Sequence, residues 1–155
     1  MELQETRQIN ATVDQIWSSL TDVDVLRQCV PGCTEMTGSV EEGFEATVVQ
    51  RVGPVKAKFK GRVIFSDMDK PKSLRISGEG SGGVAGFANG GAAVTLTPNG
   101  DETELAYEVN AKVGGKLAQL GSRIINAFAR KMAGQFFKRL QGVLEADQAE
   151  AREQT

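Results

Sequence analysis

GKLAQLGSRIINAFARKMAGQFFKRLQGVL, residues 115–144, is the stretch that decides the fold. Set at about 100° per residue, Leu117, Ile124, Ile125, Phe128, Met132, Phe136, Phe137, Leu140, Val143 and Leu144 fall on one broad apolar arc. Lys116, Arg123, Arg130, Lys131 and Lys138 share the opposite stripe. No proline interrupts the segment, so it predicts one helix over 115–144, about 45 Å long at about 1.5 Å per residue. An arc wider than a half-turn has to be buried against more than one neighbour, and the residues before it must supply that surface.

They do so in strands. From residue 34 to 113 the apolar period is 2, broken at short intervals by Gly, Pro, Asn and Asp. In 55–65 the residues Val55, Ala57, Phe59, Val63 and Phe65 alternate with Lys56, Lys58, Lys60 and Arg62, which makes one face core and the other wet. The same alternation points Phe44, Ala46 and Val48 inward, then Leu74 and Ile76, then Val94 and Leu96, then Leu105, Tyr107, Val109, Ala111 and Val113. Five or more strands in an antiparallel meander are expected, with Asn99-Gly100-Asp101 as a hairpin turn. Ahead of them, residues 2–10 alternate loosely. Thr12 is placed to cap a short helix with Gln15 reaching back, and Val13, Ile16, Trp17 and Leu20 give that helix one buried face. Asp22 is placed to cap a second helix through about Arg27, ahead of the Val30-Pro31-Gly32 turn. The fold class is α+β: a curved antiparallel sheet around one long C-terminal helix, a single domain over 1–147 with a frayed polar tail at 148–155.

Composition narrows the chemistry. No apolar run among the 155 residues approaches the roughly 18 needed to span a bilayer, and MELQETRQIN lacks the basic start and apolar stretch of a secretory signal. A cytoplasmic protein is expected. The chain has no histidine, which removes every Ser-His-Asp and Cys-His arrangement. Cys29 and Cys33 in CVPGC are separated by three residues and have no second pair, so they read as small apolar side chains and not as a metal site. Asp67, Asp69, Glu79 and the acids of 101–108 offer no convergent pair. No catalytic and no metal-binding residue is assigned. Gly78 to Gly83 match G-x-G-x-x-G, yet a strand follows where a nucleotide site needs a helix. Those glycines, with Gly86, Gly90 and Gly91, are expected where strands bend sharply or where something large passes close to the backbone.

Charge is segregated. Residues 1–50 carry nine acids and two bases, whereas 116–144 carry six bases and no acid, and 55–65 add four bases. The basic stripes suit an anionic lipid or an acidic partner. Nucleic acid is not expected, because the chain is acidic overall and its lysines interleave with inward apolar residues instead of exposed aromatic platforms.

Ile16-Trp17 with Asp22, then Cys29-Val30-Pro31-Gly32-Cys33, then Val52-Gly53-Pro54-Val55-Lys56-Ala57-Lys58-Phe59-Lys60-Gly61, then Val113-Gly114-Gly115-Lys116-Leu117-Ala118 with Leu120-Gly121, occur in the order found in CoxG, an accessory protein of carbon monoxide dehydrogenase. Over about residues 2–144 the sequence resembles the CoxG family, which belongs to the START-like and Bet v 1-like helix-grip superfamily. The resemblance implies a helix-grip fold and a non-catalytic accessory protein. It also implies a hydrophobic ligand, quinone or lipid, and assistance to a molybdenum-containing carbon monoxide dehydrogenase-type enzyme at the inner membrane face. Some members continue into a long tail with a membrane-binding segment. Here Thr155 follows a polar stretch, so Lys116, Arg123, Arg130, Lys131 and Lys138 are the expected docking residues for partner or membrane.

A dry pocket of about 400 Å³ would cost about 10 kcal/mol at about 24 cal/mol per Å³, so a grip fold is expected to hold a ligand, hold water or partly collapse. The expected lining is Trp17, Phe44, Phe59, Leu74, Ile76, Phe87, Leu96, Tyr107, Ile124, Phe128 and Met132, with Tyr107 offering its hydroxyl to a quinone carbonyl. No cofactor beyond such a ligand is expected. Two alternatives stay open: an adaptor with a collapsed cavity, and a cyclase or hydrolase of the same fold using Asp or Tyr.

Overall fold

Thr12 and Asp22 start two helices by satisfying amides that no helical carbonyl can reach. The Gln15 amide donates to the Thr12 hydroxyl at 3.2 Å while the Thr12 amide donates to the Gln15 side chain at 2.8 Å, a reciprocal cap. Asp22 accepts from the amides of Asp24 and Val25 at 2.8 and 3.1 Å. In the computed structural model these caps open α1 (Val13–Leu20) and α2 (Val23–Cys29), which follow β1 (Glu2–Ile9). Residues 2–147 are described in full, with the backbone of 148–153; the tail expected to fray at 148–155 lies outside the fully described residues.

Six strands follow: β2 (Cys33–Ser39), β3 (Gly43–Val52), β4 (Val55–Asp69), β5 (Ser73–Ser81), β6 (Phe87–Asn99) and β7 (Glu102–Gly114). All neighbours are antiparallel, as connections this short require, and β1 closes the sheet beside β7 in the order β1-β7-β6-β5-β4-β3-β2. The turn expected at 99–101 joins β6 to β7, with Gly100 at φ 66°. Curvature comes from β4. A bulge shifts its register between Ser66 and Asp69, where Asp67 takes φ 49°, and at Gly61 an added Cβ would lie 2.2 Å from the Glu79 carbonyl oxygen.

The long helix begins later than its periodicity suggests. Residues Gly115–Leu120 form a 3₁₀ segment, Gly121 turns the chain at φ 88°, and only then does α3 (Ser122–Glu153) run. The apolar spacing continues through Gly121, but Gly115, at φ 70°, and Gly121 both take left-handed conformations that a helix interior cannot contain. Leu117 is nonetheless buried, on the 3₁₀ segment and not on the helix.

The C-terminal half of α3 closes the core. Phe137, Leu140 and Leu144 are buried with Ile9, Ile16, Trp17 and Leu20 and with the inward side chains of Phe44, Phe65, Leu74, Val94, Leu96, Leu105 and Tyr107. Phe137 stacks on Tyr107 with ring centroids 4.1 Å apart, and Phe44 meets Phe65 edge to face at 5.5 Å. Gln141 ties this half to β1: it donates to the Gln8 carbonyl at 3.2 Å and accepts from Arg7 at 3.2 Å.

Candidate ligand-binding site

Cross-strand register turns the inner face into rungs, and the rungs lose volume along the sheet. Phe65, Ile76, Ala92, Val109 and Leu3 form one. The next, Phe44, Val63, Gly78, Gly90 and Ala111, is small at three positions, and the one beyond, Ala46, Gly61, Gly80, Ala88 and Val113, is small at four. A groove of about 450 Å³ lies over these rungs, walled by Val48, Phe59, Val63, Ile76 and Val109, with Met132 of α3 above. Its surface is overwhelmingly apolar and it opens to solvent. The volume falls within the range of small-molecule sites.

Two kinds of glycine make this floor. At Gly61 and Gly90 an added Cβ would come within 2.2 and 2.9 Å of backbone oxygens, so these glycines let strands approach closely. At Gly78 and Gly80 the nearest atoms would lie 3.8 Å away, an ordinary contact distance, so a side chain is sterically allowed there and would project into the groove. These two glycines keep space open. Gly78–Ser81 lie within β5, which agrees with rejecting a nucleotide loop.

Of the eleven residues expected to line a pocket, Phe59, Ile76 and Met132 do so. Trp17, Phe44, Leu74, Leu96 and Tyr107 belong to the packed core instead. Phe128 is half-buried on the half of α3 that precedes Met132, while Ile124, 40% exposed, stands beside Gly53 of the β3–β4 turn. Phe87, 47% exposed, borders a different depression of about 630 Å³ on the outer face, among Glu35, Glu45, Lys58, Lys60, Arg62 and Glu79. That depression is polar, with charges of both signs, and does not suit an apolar guest. The residues that sequence reasoning left off the lining are the small ones. Their signal was available: Gly78 and Gly80 on β5 share an alternation phase with Ala88, Gly90 and Ala92 on β6.

Tyr107 is 1% exposed, and its hydroxyl donates to the Glu5 carboxylate at 2.5 Å, so the phenol is already partnered inside the core and does not face the groove. Burial, reinforced by that carboxylate, pushes its pKa up to about 12. Cys29 is buried at the end of α2 and burial pushes its thiol up to about 11, while Cys33, whose thiol is also raised by burial, donates to the Glu35 carbonyl at 3.3 Å. Neither has the lowered pKa of a reactive thiol. The loop between them is a packing device: Gln50 donates to the Pro31 carbonyl at 2.7 Å, and Gly32 lies where a Cβ would strike the Val49 oxygen at 2.1 Å.

Lys116, Arg123, Arg130, Lys131 and Lys138 are all exposed, on the 3₁₀ segment and α3. Among the described residues the one ion pair is Arg27 with Asp24, at 3.7 Å, so these five have no acidic partner there. No described helix is long and apolar enough to cross a membrane, and no described cluster of His, Cys, Asp and Glu could hold a metal ion.

Comparison with solved structures places this architecture among known ones. A conserved protein from Geobacillus kaustophilus is similar with a TM-score of 0.87 at 29% identity, covering 94% of this chain and 96% of that one. A START superfamily protein from Mycobacterium smegmatis shares the fold at 15% identity, with a TM-score of 0.69 over 94% of this chain and 97% of its own. A Chromobacterium violaceum protein does so at 15% identity and TM-score 0.67, over 93% and 97%. No curated protein matches the chain. The sequence profile of the carbon monoxide dehydrogenase CoxG family matches residues 6–145, nearly the whole described domain, and the chain belongs to that family.

Proposed function

We propose that this protein is a non-catalytic accessory factor that holds a hydrophobic small molecule, a quinone or a lipid, on behalf of a molybdenum-containing carbon monoxide dehydrogenase-type enzyme at the membrane. The observation that carries the reading is the glycine-floored groove of about 450 Å³ under the N-terminal half of α3. Folding ordinarily removes apolar surface from water, and here two glycines with room for side chains keep such surface open. A flat ring with an apolar tail fits a floor of backbone walled by Phe59 and Val63, with Met132 adaptable above it. The family supplies the partner class; the groove supports the ligand class.

Decylubiquinone titrated into the protein by calorimetry tests this, together with native mass spectrometry of gently purified material. One bound probe per chain is expected, and Gly80→Leu should weaken binding at least about tenfold, an energy of about 1.4 kcal/mol, while the thermal midpoint stays near that of the wild type. A protein that is reproducibly empty and binds no quinone or lipid probe would leave the adaptor reading. That second reading is favoured by one observation, the row of exposed bases without acidic partners on the 3₁₀ segment and α3.

A further inference from the structure

Antiparallel topology sorts the connections of this sheet onto two ends. The β4–β5 and β6–β7 turns and the β2–β3 turn share one end, and it is rich in acids: Glu41, Glu42, Asp67, Asp69, Asp101 and Glu102. The β3–β4 turn, the loop from β5 to β6 and the exit of β7 into the 3₁₀ segment share the other. The chain segments at this second end, 33–35, 47–60, 81–87 and 114–123, hold a single acid, Glu35. They contribute Arg51, Lys56, Lys58, Lys60, Lys116 and Arg123, all exposed and none with an ion-pair partner among the described residues. The nearest acids on the outer face are Glu45 and Glu79, one rung inward, and Glu35 on the edge strand.

At this cationic end the loop between β5 and β6 presents an apolar side chain to solvent. Val84 is 85% exposed, while Phe87, 47% exposed at the start of β6, lays its ring over Gly114 at the rim of the charged outer depression. The loop is built to hold Val84 there. Gly82 donates to the Gly86 carbonyl at 2.8 Å, Gly86 donates to Gly83 at 3.1 Å, and the buried Ala85 anchors the turn, so Val84 stands on a preformed platform. Gly86 packs against Gly114 and Gly115 so closely that a Cβ on Gly86 would lie 2.1 Å from the Gly114 oxygen, which fixes the platform to the segment that carries Lys116. An exposed apolar tip beside the segment that carries Lys116, at an end where bases outnumber acids, suits a bilayer: a hydrocarbon-seeking centre within an anionic headgroup layer.

We infer that this end of the molecule, centred on Val84 with Phe87 at its rim and carrying Lys58, Lys60, Lys116 and Arg123, is a docking face for anionic phospholipid membranes. Its purpose, though not its existence, rests on the carrier reading. The rungs Ala46–Gly61–Gly80–Ala88 and Val48–Phe59 border this end, so docking brings the groove next to the lipid from which an apolar ligand is taken or to which it returns. Arg130, Lys131 and Lys138 lie further along α3 and are not part of the contact.

Co-sedimentation with vesicles of phosphatidylcholine, with and without an equal part of phosphatidylglycerol, tests the inference. The wild type is expected to bind the anionic vesicles, to lose them as salt shortens the screening length, and to ignore pure phosphatidylcholine. Val84→Glu should weaken binding about tenfold, and Lys116→Glu with Arg123→Glu at least as much, whereas Lys72→Glu at the opposite end changes it less than twofold. Val84 is so exposed that its replacement leaves the fold intact. The two readings fail separately: Val84→Glu should still bind decylubiquinone in solution, and Gly80→Leu should still bind vesicles. Wild-type protein that ignores anionic vesicles, or Val84→Glu that binds them undiminished, overturns the proposal and leaves this end to a protein partner.

Discussion

The helix α3 meets the same sheet twice, and the two meetings end differently. Toward its C-terminus Phe137, Leu140 and Leu144 face Phe44, Leu74, Val94, Leu105 and Tyr107, and the space between is filled. Toward its N-terminus the facing sheet residues shrink to Gly78, Gly80, Ala88 and Ala92, and a groove remains under Met132. Topology and alternation are the same in both halves, so the difference lies in side-chain volume. Stability resides in one half and capacity in the other.

Truncation should expose that asymmetry most. Phe137→Ala removes the ring stacked on Tyr107 and is expected to cost about 3–5 kcal/mol, lowering the thermal midpoint by about 10 °C, whereas Met132→Ala should cost about 1 kcal/mol or less. Equal losses in chemical denaturation would break the contrast. A finer test sets glycine against glycine on one rung. Gly61→Ala drives a methyl to 2.2 Å from the Glu79 oxygen and should cost about 1–3 kcal/mol; Gly80→Ala, with its nearest atom at 3.8 Å, should stay within about 0.5 kcal/mol of the wild type. Urea midpoints of the two variants would separate a glycine needed by the backbone from one that clears space.

The smallest effect concerns pH in the closed half. Burial and the Glu5 carboxylate push the Tyr107 pKa from its ordinary 10 up to about 12, so folding favours the neutral phenol. Its stabilisation is complete below pH 10 and fades as pH rises from 10 to 12. Tyr107→Phe, which leaves Glu5 without its donor, should cost about 1 kcal/mol near neutrality, and that deficit should shrink over the same window. A difference independent of pH would mean that the phenol is neither buried nor held by Glu5 in the folded chain.

Much of this was legible in the chain. The caps at Thr12 and Asp22 are local hydrogen-bonding facts, and alternation assigns the large inward side chains of β3 to β7 up to the bulge after Ser66, where the pleat loses its period. Two things were hidden. The 3.6-residue spacing runs straight through Gly121, so the break before α3 is carried by a backbone angle and not by hydrophobicity. Alternation also tells which face a residue occupies but not how far along the strand the helix reaches. That is why Phe44 and Phe59, on adjacent strands and the same face, part company into core and groove wall. The family resemblance could name a cavity but not the rung at which it opens.

The missing side chains on β5 carry one more consequence. A surface made of strand backbone has already committed its amides and carbonyls to neighbouring strands, and so has few directional contacts left to offer a guest. Such a surface sorts molecules by thickness and not by the pattern of their polar substituents. Among apolar guests of equal thickness such a floor would discriminate little, and any finer selectivity would have to come from outside it.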